Sequence, residues 1–222
     1  MSHPARSTPL LFSALTLLLC IFITTAGLNP APARAAGETG EAAPWTLAAE
    51  ENGIQVFTRP VAGSGIQEFK GIAEVGTAMH SIYDLLKDSN RFKEWFPNTP
   101  ESKLIKRDEN ISYQYSVMAT PWPTSDRDNV FRSVTEVDRD AGTIRISVSA
   151  APDDYPMQDD RVRVRKANGY WFLEKQSKDR TRVTFVMHLE PGGGIPQWMI
   201  NARVVATPLE AITNLRKTLG AN

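Results

Sequence analysis

The strongest hydrophobic periodicity lies near the end of the chain. Trp198, Ala202, Val205, Leu209, Ile212 and Leu219 recur at helical spacing, with Arg203, Thr207, Glu210, Asn214 and Lys217 forming an opposing polar stripe. The pattern opens at Ile195-Pro196, after Gly192-Gly193-Gly194, and Pro196 suits a first helical turn. Arg216 and Lys217 suit the negative end of the helix dipole, and Gly220 the position just past the end. One long helix is predicted, apolar on one face, with a kink at Pro208, which removes a backbone hydrogen bond.

Ahead of that helix the period is two. Ser102–Lys106, Ile111–Ala119, Arg127–Val137, Thr143–Ala150, Arg161–Lys166, Tyr170–Lys175 and Arg182–Leu189 read as strands. Asp108-Glu109-Asn110, Asp140-Ala141-Gly142, Ala167-Asn168-Gly169 and Lys178-Asp179-Arg180 separate them as short turn formers, which predicts an antiparallel meander. Earlier, Trp45–Glu51 is predicted as a short helix and Asn52-Gly53 as a turn. Ile54–Arg59 and Ile66–Val75 are predicted as a hairpin around Ala62-Gly63-Ser64-Gly65, and Ala78–Lys87 and Asn90–Phe96 as a helical pair ended by Pro97 and Pro100. The order implies an α+β architecture, a curved antiparallel sheet wrapped around the long C-terminal helix. Such a sheet offers more concave surface than one helix fills, so an apolar hollow is expected between them. The longer connections, Thr120–Asp126 and Ala151–Asp160, are candidate lids.

Composition changes the picture at the front. Leu10–Ile23 is an apolar run following Arg6, and Ala33-Arg34-Ala35 has a small-x-small cleavage pattern. Residues 1–35 read as a signal peptide and 36–44 as a linker, leaving a domain over 45–222 that is periplasmic or secreted. The alternative is an uncleaved N-terminal membrane anchor, because the run approaches a spanning length. The single cysteine, Cys20, lies inside the run after Leu19, unlike a lipid-modified cysteine, and the mature domain has no disulfide or thiol chemistry. Charge is balanced, with 25 Lys+Arg against 25 Asp+Glu. The one basic cluster, Arg161, Arg163, Arg165 and Lys166, is expected on the solvated face of an edge strand, and nucleic-acid binding is not expected.

Catalytic chemistry finds little support. His188, with Glu190 or Ser125, is the best available base, and His80 opens a predicted helix; no paired histidines, cysteine pair or phosphate-binding glycine loop accompanies them. No catalytic residue, metal site or cofactor is assigned. Strand parity instead turns Val183, Phe185, Met187 and Leu189 inward, together with Gln114, Met118, Asn129, Phe131 and Ser133. Trp198, Met199, Ala202 and Val205 are the candidate cavity residues of the helix.

Three ordered segments carry a resemblance: Gly53-Ile54-Gln55-Val56-Phe57-Thr58-Arg59, then Trp122-Pro123-Thr124-Ser125-Asp126-Arg127-Asp128, and Gly194-Ile195-Pro196-Gln197-Trp198. Over roughly Trp45–Leu219 the sequence resembles the START domains, lipid-transfer domains related to the steroidogenic acute regulatory protein. The resemblance implies a helix-grip fold with an internal tunnel for one lipid, gated by the C-terminal helix and a nearby loop. Carried over, the lid is Trp198–Leu219, with hinge points at Gly193 and Pro208. The mobile loop is Ala151–Asp160, with Tyr155 and Met157, and Arg127-Asp128 is a structural corner. Gln114 and Ser133 fall where sterol-binding members carry a buried acid and arginine, which argues against a ligand selected by a charged pair. The expected function is binding, and by exchange transfer, of a single lipid or other hydrophobic molecule by a monomer in transient contact with a membrane. A cyclase- or hydrolase-type enzyme on the same scaffold, or an envelope interaction protein with a filled core, are the alternatives.

Overall fold

The structure, a computed structural model, describes residues 42–221. The signal-peptide reading, most of the linker and Cys20 lie outside the described residues. The strands are β1 (Thr46–Glu51), β2 (Ile54–Arg59), β3 (Glu68–Val75), β4 (Glu101–Asp108), β5 (Ile111–Met118), β6 (Arg127–Asp138), β7 (Thr143–Ala150), β8 (Val162–Arg163), β9 (Lys166–Lys175) and β10 (Thr181–Glu190). The helices are α1 (Met79–Lys87), α2 (Phe92–Trp95) and α3 (Gln197–Thr218). All the strands join one curved sheet in the order β1-β2-β3-β10-β9-β7-β6-β5-β4, antiparallel throughout except that β8 runs parallel beside β6. This is the expected α+β, helix-grip arrangement.

The alternation that predicted strands is the alternation of burial. In β2, Ile54, Val56 and Thr58 are buried while the residues between them are partly exposed, and β7 repeats the pattern with Ile144, Ile146 and Val148. The inward residues of β3, β7, β9 and β10 meet α1, α2 and α3 in one core that includes Ile82, Leu85, Trp95, Leu173, Val183 and Leu215. A smaller cluster of Ile54, Val56 and Ala73 holds Ile212 of α3, with Val205 and Leu209 packed against it. Its closest point is Gly71 of β3, where an added Cβ would stand 2.9 Å from Pro208 Cβ and 3.1 Å from Ile212 Cδ1. The missing side chain lets the helix down onto the sheet. α3 runs unbroken through Pro208, which is buried at this contact. It ends as its sequence indicates: Ala221 N–H donates to Arg216 C=O, Gly220 N–H donates to Lys217 C=O, and Gly220 has φ +62°.

Four local expectations are corrected. Trp45–Glu51 is not a helix: Thr46–Glu51 form β1, although Leu, Ala and Glu favour helices, because Asn52 and Gly53 (φ 50° and 70°) make a tight hairpin turn that folds the segment onto β2. Ala167-Asn168-Gly169 is not a turn but lies inside β9, bonded to β10 on one side and, through Asn168 and Gly169, to β7 on the other. Two ladders outweigh a local turn preference. Pro196 is the residue before α3 rather than part of its first turn. Finally, Arg161–Lys166 is not a solvated edge strand, since β8 is two residues long and Arg163 is buried.

That burial carries much of one end of the sheet. The Arg163 and Asp128 side chains are each only 1% exposed and form a two-pronged ion pair: Nε donates to Oδ1 at 3.0 Å and Nη2 to Oδ2 at 2.8 Å. The remaining guanidinium N–H groups donate to the carbonyls of Pro152, Tyr155 (3.0 Å) and Pro156 (2.9 Å). All five donors of one arginine are thereby used, three of them on the 151–160 loop. Asp128→Ala leaves this cation buried without its counter-charge, and chemical denaturation is expected to show a loss of about 3–5 kcal/mol. The double variant Asp128→Leu/Arg163→Met, which removes both charges, recovers most of that loss if the penalty is the unpaired charge.

Candidate functional site

α3 rests on β2 and β3, at one side of the sheet, and α1 and α2 reach β9 and β4. Between them a void of about 400 Å³ remains against the inner faces of β5, β6, β7, β9 and β10. One wall is aromatic: the Trp171 and Phe185 rings stack 3.9 Å apart, Phe96 meets Phe185 edge-on, and Trp95 meets Trp171 edge-on. Opposite them, β5 and β6 turn Gln114, Ser116, Met118, Asn129, Phe131 and Ser133 into the cavity. The helix side is made by Met199, Ile200, Arg203, Val204 and Thr207, and the remaining rim by Ala119, Thr120, Pro121, Pro191 and Ile195.

Seven of the ten residues expected to line a cavity do so: Gln114, Met118, Phe131, Ser133, Phe185, Met187 and Met199. Gln114 and Ser133 are diagonal neighbours on the paired strands, since Gln114 faces Phe131 and Ser133 faces Ser112 across the β5–β6 ladder. The other three do not line it. Trp198 is 71% exposed, Ala202 is exposed, and Val205 packs into the separate cluster with Ile54 and Ile212. The helix is therefore rotated from its sequence pattern, and Arg203 and Thr207 of the supposed outer stripe face the cavity. Helical spacing locates a stripe but does not say which partner it meets, and here the best apolar stripe is spent on the sheet at Gly71. Arg203 forms a two-pronged ion pair with Glu210, two turns along, at 3.0 and 2.7 Å. The aromatic lining of Phe92, Trp95, Phe96 and Trp171 was visible in the sequence as apolar periodicity but not assignable to a void.

The loop expected to gate the cavity is on the wrong side of the sheet. Tyr155 packs on Tyr115, ring centroids 4.8 Å apart, beside Val117 and Val130. These residues alternate with the cavity-lining Gln114, Ser116, Asn129 and Phe131, so they occupy the opposite face. Met157 is exposed there as well. Arg163 holds this loop by three carbonyls. The loop at the cavity rim is Thr120–Asp126. It is stapled internally, with Thr120 N–H donating to Asp126 Oδ1 at 2.9 Å and Thr120 Oγ1 to Ser125 C=O at 2.7 Å, and it displays Trp122, 92% exposed.

A second buried arginine joins this rim loop to the start of α3. Arg127 is 1% exposed, and its guanidinium donates to Ser125 C=O from Nη1 and to Gly192 C=O from Nη2 at 2.9 Å, while Nε has no partner. Burial pushes this guanidinium below its ordinary range, against the opposing charge of Asp126. Arg127 thus makes a lighter attachment than Arg163. Next to it, Gly193 has φ +67°, and an added Cβ would stand 2.7 Å from Arg127 Nη2, whereas at Gly194 a Cβ would meet nothing within 4 Å. His188 lies on the outer face of β10, its Nε2 3.2 Å from Ser64 Oγ, near Glu190, whose carboxyl is held below its usual range chiefly by its hydrogen bond with Lys166. Among the described residues no cluster of histidine, cysteine and carboxylate side chains could hold a metal ion. The backbone geometry separates two neighbouring positions. Gly193→Val is expected to lower stability by roughly 1–3 kcal/mol in thermal unfolding, and Gly194→Val to stay within about 0.5 kcal/mol of the parent.

The crystal structure of a STAR-related lipid transfer protein from Xanthomonas axonopodis superimposes with a TM-score of 0.74, is 37% identical, and is matched over 79% of this chain and 98% of that one. Human StAR-related lipid transfer protein 5 shares the fold at 20% identity, with a TM-score of 0.72 over 81% of this chain and 88% of its own. In sequence, an uncharacterized Pseudomonas aeruginosa protein is 33% identical over 78% of this chain and 85% of its own length. Mouse phosphatidylcholine transfer protein is 29% identical over 72% and 76%. The START domain model matches residues 34–222, and with the helix-grip sheet and its internal cavity in place the chain belongs to the START domain family.

Proposed function

We propose that this domain is a carrier for one hydrophobic small molecule, which it takes up from and releases to a membrane as a monomer. The observation that carries the reading is the cavity of about 400 Å³ roofed by α3, walled by stacked Trp171 and Phe185 and floored by two strands with a few polar groups. An apolar void with sparse polar groups suits an amphiphile or oil far better than a charged substrate. The lipid-transfer names borne by the similar proteins agree with it.

Exchange requires an opening, and the gate is the first turns of α3 with the Thr120–Asp126 loop. Both border the cavity, and Arg127 ties them through Ser125 and Gly192. Each also exposes a tryptophan one residue from a cavity-lining position, Trp122 beside Pro121 and Trp198 beside Met199. Tryptophan favours the membrane–water interface, so the rim that must open is also the rim that meets lipid. The segment read as a cleaved signal peptide sets this exchange in the periplasm or outside the cell. The domain acts by binding alone, without a catalytic step.

Native mass spectrometry of the purified protein is expected to find one small hydrophobic molecule per chain. A protein that emerges without one and takes up no fluorescent fatty acid overturns the carrier reading. Trp122→Ala and Trp198→Ala are expected to slow transfer between vesicles about tenfold together, with equilibrium uptake unchanged, because each removes interfacial area rather than cavity lining. Unchanged transfer rates would remove the tryptophan rim from the mechanism.

A further inference from the structure

The cavity is not evenly apolar. Besides Gln67, Asn98, Thr99, Thr120, Arg203 and Thr207 elsewhere in the lining, four polar side chains share adjacent positions of β5 and β6: Gln114 and Ser116 on one strand, Asn129 and Ser133 on the other, with Asn129 directly opposite Ser116 in the ladder. On β9 and β10 the lining side chains are Trp171, Phe185, Met187 and Leu189, of which only the Trp171 indole N–H can hydrogen-bond, as a donor. Within the polar group only Asn129 has a buried side-chain atom without a partner. It is 5% exposed, it lines the cavity, and its Oδ1 has no hydrogen-bond partner in the protein. A buried carboxamide oxygen left unpaired costs stability that a bound group can return. Trp95 Nε1 is also unpartnered, but it sits among the rings of Phe92, Phe96 and Trp171 in the aromatic wall.

Charge narrows the head group further. Among the described residues Arg203 is the one charged side chain lining the cavity, and both of its Nη atoms are engaged by Glu210. No other cation lines the void to neutralise a phosphate or carboxylate, and burying such an anion unpaired is costly. Size narrows the tail. A methylene takes up about the space of one water molecule, about 30 Å³, so a void of about 400 Å³ holds about a dozen such groups, roughly one alkyl chain. Two long acyl chains need more than twice that.

We infer that Asn129, with Ser116 opposite and Gln114 and Ser133 alongside, is the head-group site for a single-chain amphiphile whose head is an uncharged hydrogen-bond donor, a hydroxyl in its simplest form. A carboxamide offers one acceptor and two N–H donors, and a hydroxyl both donates and accepts, so it satisfies Asn129 where an ether cannot. This rests on the carrier reading, and the experiment separates the two.

Pyrene, which has no hydrogen-bonding atom, reports cavity uptake by fluorescence, and 1-dodecanol, 1-methoxydodecane, laurate and dipalmitoylphosphatidylcholine compete with it. Failure of the protein to take up pyrene or any competitor defeats the carrier reading itself. With uptake established, dodecanol is expected to displace pyrene about tenfold better than its methyl ether and better than laurate or the phospholipid. Equal displacement by alcohol and ether, or a preference for either charged lipid, overturns the head-group assignment without touching the carrier reading. Asn129→Leu is expected to bring the alcohol-to-ether ratio near one, and an unchanged ratio overturns the role of Asn129. The ranking by the unaltered protein needs no variant, so it decides the ligand class even if Asn129→Leu fails to fold.

Discussion

At Gly71 the sheet has no side chain, and Pro208 and Ile212 of α3 come down into that gap. This contact determines where the helix can lie. Its buried residues, Val204, Pro208, Ala211, Ile212 and Leu215, are committed to β2, β3 and the core beneath α1 and α2, at one side of a ten-stranded sheet. A helix about 10 Å across cannot also cover the far strands. The inner faces of β5, β6 and β7 are left facing aromatic side chains across a void, and the first turns of α3, beyond the Gly71 contact, become its roof.

Two buried arginines divide the labour at the ends of the strands, and their hydrogen bonds differ in number and purpose. Arg163 uses every donor it has, on Asp128 and three loop carbonyls, and so turns the 151–160 loop into a fixed part of the outer face. Arg127, one residue from Asp128, spans two separate elements with fewer bonds and leaves Nε unpaired. The positive φ of Gly193 and its closeness to Arg127 keep position 193 free of a side chain.

The cavity has its own polarity, which follows from the alternation of two strands. Ser116 and Asn129 face each other in the ladder and therefore point to the same side, as Gln114 and Ser133 do on the diagonal. The lining is thus polar on β5 and β6 and carries stacked rings on β9 and β10. The uncharged character of that polar lining is a property of these side chains rather than of the fold, which accommodates other residues at the same positions.

The order of strands and helices, the α+β class and the inward parity of Phe131, Ser133, Phe185 and Met187 were legible from the sequence, because period-two burial and helix-end signals are local properties. The end of α3 at Gly220 was legible for the same reason. What sequence could not decide was which partner a given face meets. β1 has helix-favouring residues and is a strand because an Asn-Gly turn lays it on β2; Ala167–Gly169 has turn residues and is a strand because β10 and β7 bond it from both sides. Trp198, Ala202 and Val205 were spaced to face inward, yet the Gly71 contact rotates α3 so that Met199, Arg203 and Thr207 do so instead. The 151–160 loop was long enough to be a lid, and only the buried position of Arg163 sends it to the other face. Local patterning therefore determined the elements, and the tertiary structure decided the cavity, since a void is defined by the distance between faces that are far apart in sequence.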